Sequence, residues 1–235
     1  MITGICTPDK FTRITNQKNV MAYDHEEQEQ IATLKAWWDK YGNLVTWLIT
    51  AVLLAYASWT GWNYWQRSQA AKAAVLYEEL VKAVESNDAT KRVRASADLK
   101  DKFGSTAYAQ MGALVAARAA FDAADLPAAK TELLWVSEHG KNDEFKAIAR
   151  IRLAGVLLDE KAYDEGLKVL TADFPDQFAA LVADRKGDLY VGLNKLDDAR
   201  LAYQTALEKT EVKNPARQLI QLKLDAVGGA PGKGQ

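Results

Sequence analysis

The chain has 235 residues, of which 49% are hydrophobic and 26% are charged, and its formal net charge is −1. Beyond residue 65, basic and acidic residues are equal in number. No basic stripe indicates nucleic-acid binding, and no polybasic block would recruit anionic lipid. The single cysteine, Cys6, lies near the start, which excludes disulfides and thiolate metal sites from the rest of the chain.

The segment before Met21 shows no helical periodicity, no capping pattern and no targeting signature. Two interpretations stay open. This segment either forms a disordered cytosolic tail, or it results from a start assigned upstream of the true start at Met21. We favour the second interpretation, because the family resemblance described below begins at Met21.

Residues 41–66 form an uncharged run between Lys40 and Arg67. As a helix rising ~1.5 Å per residue, this run would extend ~39 Å, more than the ~30 Å hydrocarbon core of a bilayer. A signal peptide is disfavoured because the apolar core is too long, follows an acidic string and ends in aromatic residues. A buried helix would need an apolar envelope, which the amphipathic flanks do not offer. The run therefore predicts a transmembrane helix.

Aromatic residues near both ends of the run are predicted to be membrane-interface anchors. Indole rings prefer the headgroup zone, where the ring stays semi-apolar and its N–H finds a partner. Along a helix, Trp38 and Trp62 would be separated by ~36 Å, close to the thickness of a bilayer. The predicted anchors are Trp37, Trp38 and Tyr41 on one side and Trp59, Trp62, Tyr64 and Trp65 on the other. The two flanks carry similar basic charge, so the sequence leaves orientation open.

After Arg67, Ala- and Leu-rich segments predict one helix after another. Pro127 and Pro215 suit the first position of a helix, and Gly140 suits a helix C-terminus. The predicted helices are 70–85, 90–103, 106–123, 127–138, 144–158, 163–172, 177–193, 196–209 and 215–227. A flexible tail, residues 228–235, follows them.

The helices form repeating pairs. In the second helices of three pairs, a large residue, a small residue and another large residue recur at nearly even spacing, beginning at Leu126, Tyr163 and Leu196. The third pair is the clearest, since small and aromatic residues alternate along both of its helices. These residues are Gly187 and Tyr190 on its first helix and Ala199, Tyr203 and Ala206 on its second. Helices 70–85 and 90–103 are expected to form a more degenerate pair, and 215–227 to cap the end. A generic Ala-rich helical bundle is the alternative.

This spacing resembles the tetratricopeptide repeat. We therefore expect an all-α protein in which one transmembrane helix precedes a tetratricopeptide-like α-solenoid over residues 67–227. The alignment places ten residues on the concave face, most of them apolar, which suits extended apolar segments. They are Met111, Leu114, Arg118, Phe121, Ile148, Ile151, Leu158, Leu181, Asp184 and Asp188. The alternative is that these side chains are buried against neighbouring helices.

No catalytic constellation is present in the sequence. The two histidines, His25 and His139, are far apart, and the tail GGAPGKGQ lacks the spacing and context of a phosphate-binding loop. The sequence predicts a binding protein without catalytic, cofactor or metal sites.

The order of elements from Met21 onward resembles the YfgM-type ancillary subunit of the bacterial Sec translocon. The most specific part is EQEQIATLKAWWDKYGN, residues 27–43, ahead of the Trp-flanked span and the Ala-rich repeats. The resemblance covers residues 21–227. It implies a single-pass inner-membrane protein with a cytoplasmic N-terminal segment, residues 1–40, and a periplasmic repeat domain.

The resemblance also implies partners and a role. The expected partners are SecYEG, a PpiD-type periplasmic chaperone, unfolded client chains and membrane lipid. The implied role is to receive newly translocated chains and pass them to periplasmic folding factors. Alternatives are a membrane-anchored scaffold for another envelope assembly complex, a regulator with its repeats in the cytosol, or one acting through the cytoplasmic segment.

Overall fold

A computed structural model describes the backbone of residues 17–229 and the side chains of residues 29–229. The expectations for Cys6, residues 1–16 and most of the tail therefore lie outside the described residues, and the side chain of His25 lies outside the described side chains. The chain divides into two compact units, one up to Tyr64 and one from Trp65 onward.

The described residues contain helices and no strand, which confirms the expected all-α fold. The helices are α1 (Gln17–Glu85), α2 (Ala89–Phe103), α3 (Ala107–Asp122), α4 (Leu126–His139), α5 (Asp143–Asp159), α6 (Tyr163–Val169), α7 (Ala179–Gly192), α8 (Leu196–Lys209) and α9 (Ala216–Ala226). A single 3₁₀ turn, Asp176–Phe178, precedes α7.

Among the described residues, the first unit consists of the part of α1 that ends at Tyr64, and most apolar side chains of residues 29–64 are exposed. Within Glu29–Glu85, an 18-residue window is apolar enough to cross a membrane, judged by length and composition, and none of it is buried. Trp47 and Trp59 are 72% and 64% exposed. This exposure argues against a buried core helix, since such a helix would be covered on every side.

The predicted interface aromatics of this unit also lie on the surface. The ring of Trp37 lies 6.4 Å from that of Trp38 and 5.8 Å from that of Tyr41. Between the aromatic groups, the Thr46 hydroxyl donates to the carbonyl of Gly42 at 2.7 Å. A hydroxyl bonded inside its own helix needs no water, so this threonine is compatible with a hydrocarbon environment.

The described part of the second unit, residues 65–229, contains four helix pairs that are closed by the same turn and followed by α9. One residue of each turn has a positive φ: Asn87 (52°), Ala124 (59°), Lys161 (61°) and Asn194 (58°). The amide of this residue donates to the carbonyl three positions earlier, and the next amide donates to the carbonyl five positions before itself. The turns follow one another at nearly even spacing along the chain. The expected degenerate pair before the first repeat thus follows the common pattern.

Each core cluster is built mainly from three consecutive helices. One cluster joins the end of α1 to α2 and α3, and the next joins α3, α4 and α5. The other two join α5 to α7 and α7 to α9. Representative buried side chains are Leu99, Leu133, Leu153, Leu189 and Leu224. Neighbouring clusters share helices, so the core runs continuously through the stack, as in repeat proteins.

Polar contacts also cross between repeats. Lys100 on α2 contacts Glu132 on α4 at 2.7 Å, and both side chains are mostly buried. The Ser96 hydroxyl donates to the other carboxylate oxygen of Glu132 at 2.9 Å. With both its oxygens bonded, Glu132 fixes the register of the two second helices.

Three predicted helix boundaries were wrong. The helix expected to begin at residue 70 is the end of α1, because residues 66–71 contain no glycine or proline to end a helix. Helix α6 ends at Val169 rather than 172, and the residue before Pro175 is biased away from helix. The segment expected to be one helix from 177 begins as the 3₁₀ turn.

Because α7 and α8 approach closely, we predict that adding one methyl group at their contact lowers the free energy of unfolding. A Cβ at Gly187 would overlap the ring of Tyr203, whereas a Cβ at Gly155 would lie 3.5 Å from its nearest neighbour, in ordinary contact. We expect Gly187→Ala to lower the free energy of unfolding by about 2 kcal/mol, because overpacking outweighs the better helix propensity. Gly155→Ala should be neutral or stabilising.

The measurement is thermal or urea unfolding of the full-length protein in detergent, monitored by circular dichroism. Equal stability of the two variants would contradict the tight packing of α7 against α8.

Candidate binding groove

Two adjoining cavities lie along the first helices of the pairs, which are the end of α1, α3, α5 and α7. The first, of about 230 Å³, is lined by Ala117, Arg118, Phe121, Leu133, Arg152, Gly155, Val156, Asp159 and Arg185. The second, of about 400 Å³, is lined by Tyr77, Val84, Met111, Leu114, Val115, Arg118, Ala119, Asp122, Ile148 and Arg152. Both include Arg118 and Arg152, so they form one continuous surface, which we call the groove.

The groove brings together half of the ten residues predicted for the concave face. Met111, Leu114, Arg118 and Ile148 line the second cavity, and Arg118 and Phe121 line the first. Phe121 is 39% exposed, so part of its ring is open to solvent. Leu114 also belongs to the core cluster that joins α3, α4 and α5. The four apolar side chains of this set contribute to the apolar wall of the groove.

The other predicted residues lie elsewhere. Ile151 and Leu158 pack against the cluster between α5 and α7, as the alternative of burial against neighbouring helices describes. Leu181 is half exposed and lines neither cavity. A role of the ten-residue set in binding therefore stays a prediction. Of the five members that line the groove, four lie on α3.

Asp184 and Asp188, the predicted acidic members of the set, hold the last helix. Lys223 on α9 contacts Asp184 at 2.9 Å and Asp188 at 2.8 Å, and these side chains are mostly buried. The Tyr203 hydroxyl donates to Asp188 at 2.9 Å. Burial raises the pKa of Asp184, and the hydrogen bond from Lys223 opposes that rise. We call these four residues the α9 clamp.

Two arginines of the groove escaped the sequence analysis. Arg152 and Arg185 follow Arg118 at nearly equal intervals close to the repeat length, one on each first helix. The signal was the recurrence of arginine at the repeat spacing, but the sequence analysis placed only Arg118 of the three on the concave face. We call Arg118, Arg152 and Arg185 the arginine column.

The described part of the chain contains no group of three or more His, Cys, Asp or Glu residues that could hold a metal ion. The groove offers apolar surface and guanidinium groups, which suit non-covalent recognition of a polypeptide.

Comparisons with known proteins agree with this architecture. A family model described as "Tetratricopeptide repeat-like domain" matches residues 35–229. The chain is therefore a tetratricopeptide-like repeat protein.

Curated relatives narrow the family further. The chain is 31% identical over 211 residues to the ancillary SecYEG translocon subunit of Neisseria gonorrhoeae, covering 88% of this chain and 100% of that protein. It is 27% identical to the protein of the same name from Haemophilus influenzae, covering 87% and 99% of the two chains. For the Escherichia coli protein the identity is 25%, covering 85% and 95%. The chain belongs to the family of ancillary SecYEG translocon subunits, as its sequence resemblance indicated.

The α9 clamp predicts a large effect of removing its cation. Lys223→Met leaves the mostly buried Asp184 carboxylate without its ion-pair partner and leaves Asp188 paired with Arg185. We therefore expect a loss of about 2 kcal/mol in unfolding free energy. Lys213→Met is the matched control, because Lys213 is exposed and makes no ion pair with a described residue.

Urea unfolding of both variants provides the measurement. Adding Asp184→Asn to Lys223→Met should recover part of the loss, since one unpaired charge is then removed. A stability unchanged by Lys223→Met would show that the clamp contributes nothing.

Tyr203 predicts a pH dependence. Burial raises the pKa of its phenol, and the neighbouring Asp188 carboxylate raises it further. Above a pH of about 10 the unfolded chain loses this proton while the folded chain keeps it, so stability falls by about 1.4 kcal/mol per pH unit. Tyr203→Phe lacks this contribution. The stability gap between wild type and variant should therefore narrow as the pH rises from about 9 to about 11.

Urea titrations at several pH values measure this gap. A gap that stays constant over the alkaline range would show that Tyr203 ionises equally in both states.

Proposed function

We propose that this chain is an inner-membrane subunit that associates with the SecYEG translocon. We place its N-terminus in the cytoplasm and its repeat unit in the periplasm. Two observations support the proposal: relatives named as ancillary translocon subunits match over almost their whole length, and a candidate span lies in α1. The orientation rests on the family resemblance.

We further propose that the repeat unit receives newly translocated chains and passes them to periplasmic folding factors, with a PpiD-type chaperone as a partner. The observation that carries this role is the groove, where exposed Phe121 and the arginine column lie beside apolar side chains. An anchored groove beside a channel meets an emerging chain at high effective concentration, so modest affinity is enough. Modest affinity also allows release to the next factor.

Affinity purification from membranes in mild detergent tests the association. We expect SecYEG subunits to stay bound to the tagged full-length chain when the affinity resin is washed, and to elute with it. A matched control replaces residues 44–62 with an unrelated apolar helix of equal length, which separates recognition by the span from recognition by the repeats.

Retention of another envelope complex without Sec subunits would overturn the proposal in favour of an assembly scaffold. Spheroplasts prepared from the same cells test on which side of the membrane the repeat unit lies. In spheroplasts, externally added protease should digest the repeat unit, and survival of that unit would place it in the cytosol.

A further inference from the structure

The arginine column brings three guanidinium groups to one cavity. Arg118, Arg152 and Arg185 come from three successive first helices, α3, α5 and α7, and all three line the first cavity. Phe121 and Val156 line the same cavity, so the charges lie against apolar surface. Charge–charge attraction is stronger beside such low-dielectric walls than in open water.

Most N–H donors of the column have no acceptor among the described residues. Arg118 bonds Asp122 through Nε at 2.8 Å, and Arg185 bonds Asp188 through Nη1 at 3.2 Å. The Nε of Arg185 is buried and has no hydrogen-bond partner in the described part of the chain. The Arg152 side chain makes neither a hydrogen bond nor an ion pair with any described residue. Since a guanidinium offers five donors, the column can bind further anionic oxygens.

The negative charge of the groove does not cancel this capacity. Asp122, which lines the second cavity, accepts a hydrogen bond from Arg118, and Asp188, which lines neither cavity, accepts one from Arg185. Asp159 is the acidic residue that lines the first cavity beside the column, and it has no ion-pair partner among residues 29–229. The lining of the first cavity therefore contains three arginines and one carboxylate.

The spacing of the column points to the form of the bound chain. Packed neighbouring helices lie roughly 8–10 Å apart. A polyproline II segment repeats the same face every three residues and advances about 9 Å in doing so. Carboxylates at every third residue of such an extended segment would match the column, and the apolar residues between them would contact the groove wall.

We infer that the groove binds extended polypeptide segments in which acidic side chains recur about every third residue among apolar ones. The inference rests on the proposed client-binding role in taking the occupant to be a polypeptide. It departs from the sequence-based expectation of extended apolar segments, because Arg152 and Arg185 were absent from the predicted concave face.

A peptide titration tests this inference. The probe is a fluorescein-labelled decapeptide with glutamate at every third position and leucine and serine between. It is titrated by fluorescence anisotropy with the full-length protein in detergent. We expect the matching glutamine peptide to bind about tenfold more weakly, since bonds to a charged group are lost. Equal affinity for the two peptides would overturn the inference.

Two variants and one control test whether the arginine column binds the peptide. Arg152→Gln should weaken binding of the glutamate peptide about tenfold. Arg150→Gln is the matched control, because Arg150 lies on the same helix, lines neither cavity and bonds the carbonyl of Asp173. Asp159→Asn should tighten binding by removing the repelling carboxylate, and a gain in affinity cannot arise from misfolding. An unchanged affinity in both Arg152→Gln and Asp159→Asn would overturn the assignment.

Two further outcomes bear on the occupant. In one outcome, amidating the peptide's C-terminal carboxylate abolishes binding while replacing its glutamates by glutamines does not change the affinity. That outcome would overturn recognition of the acidic side chains. Equal binding of a short single-stranded DNA would overturn recognition of polypeptide. Retention of SecYEG is measured separately, so the inference and the proposed translocon association can fail independently.

Discussion

The second unit depends on a short turn that is used four times. At Asn87, Ala124, Lys161 and Asn194 the chain takes a positive φ, which is costly for residues other than glycine. In return, two amides after each first helix donate to carbonyls that the helix end leaves unsatisfied. Because every pair closes in the same way, the first helices follow one another along one face. The groove and the arginine column are consequences of that alignment.

The described end of the stack is built differently, since the pair α7–α8 is followed by the single helix α9 rather than by another pair. Helix α9 buries Ile220 and Leu224 in the cluster with α8. The α9 clamp adds Lys223 between two carboxylates of α7. Apolar burial supplies most of the attraction there, and the ion pairs fix the helix in one position. Asp184 and Asp188 thus hold the cap, although the sequence analysis had placed them on a binding face.

The predictable part of the fold was local. Periodic Ala and Leu residues predicted the helices, the uncharged run predicted the candidate span, and the recurrence of large and small residues predicted the repeats. What failed depended on context. Nothing in residues 66–71 stops α1, and a missing stop signal is harder to recognise than a present one. Lys223 and Asp184 are distant in sequence, and only packing of α9 on α7 brings them together. The arginine column could have been recognised from the recurrence of arginine at nearly the repeat spacing along the sequence.

The core clusters have a consequence for how the chain reaches its structure. Since each cluster draws on helices that are close in sequence, most stabilising contacts are local and relative contact order is low. Folding of such an array can begin with one repeat and extend to the next without waiting for the whole chain. The first repeats can therefore be ordered while later ones are still being made. The pairing of Lys223 with α7 then completes the process at the end of the stack.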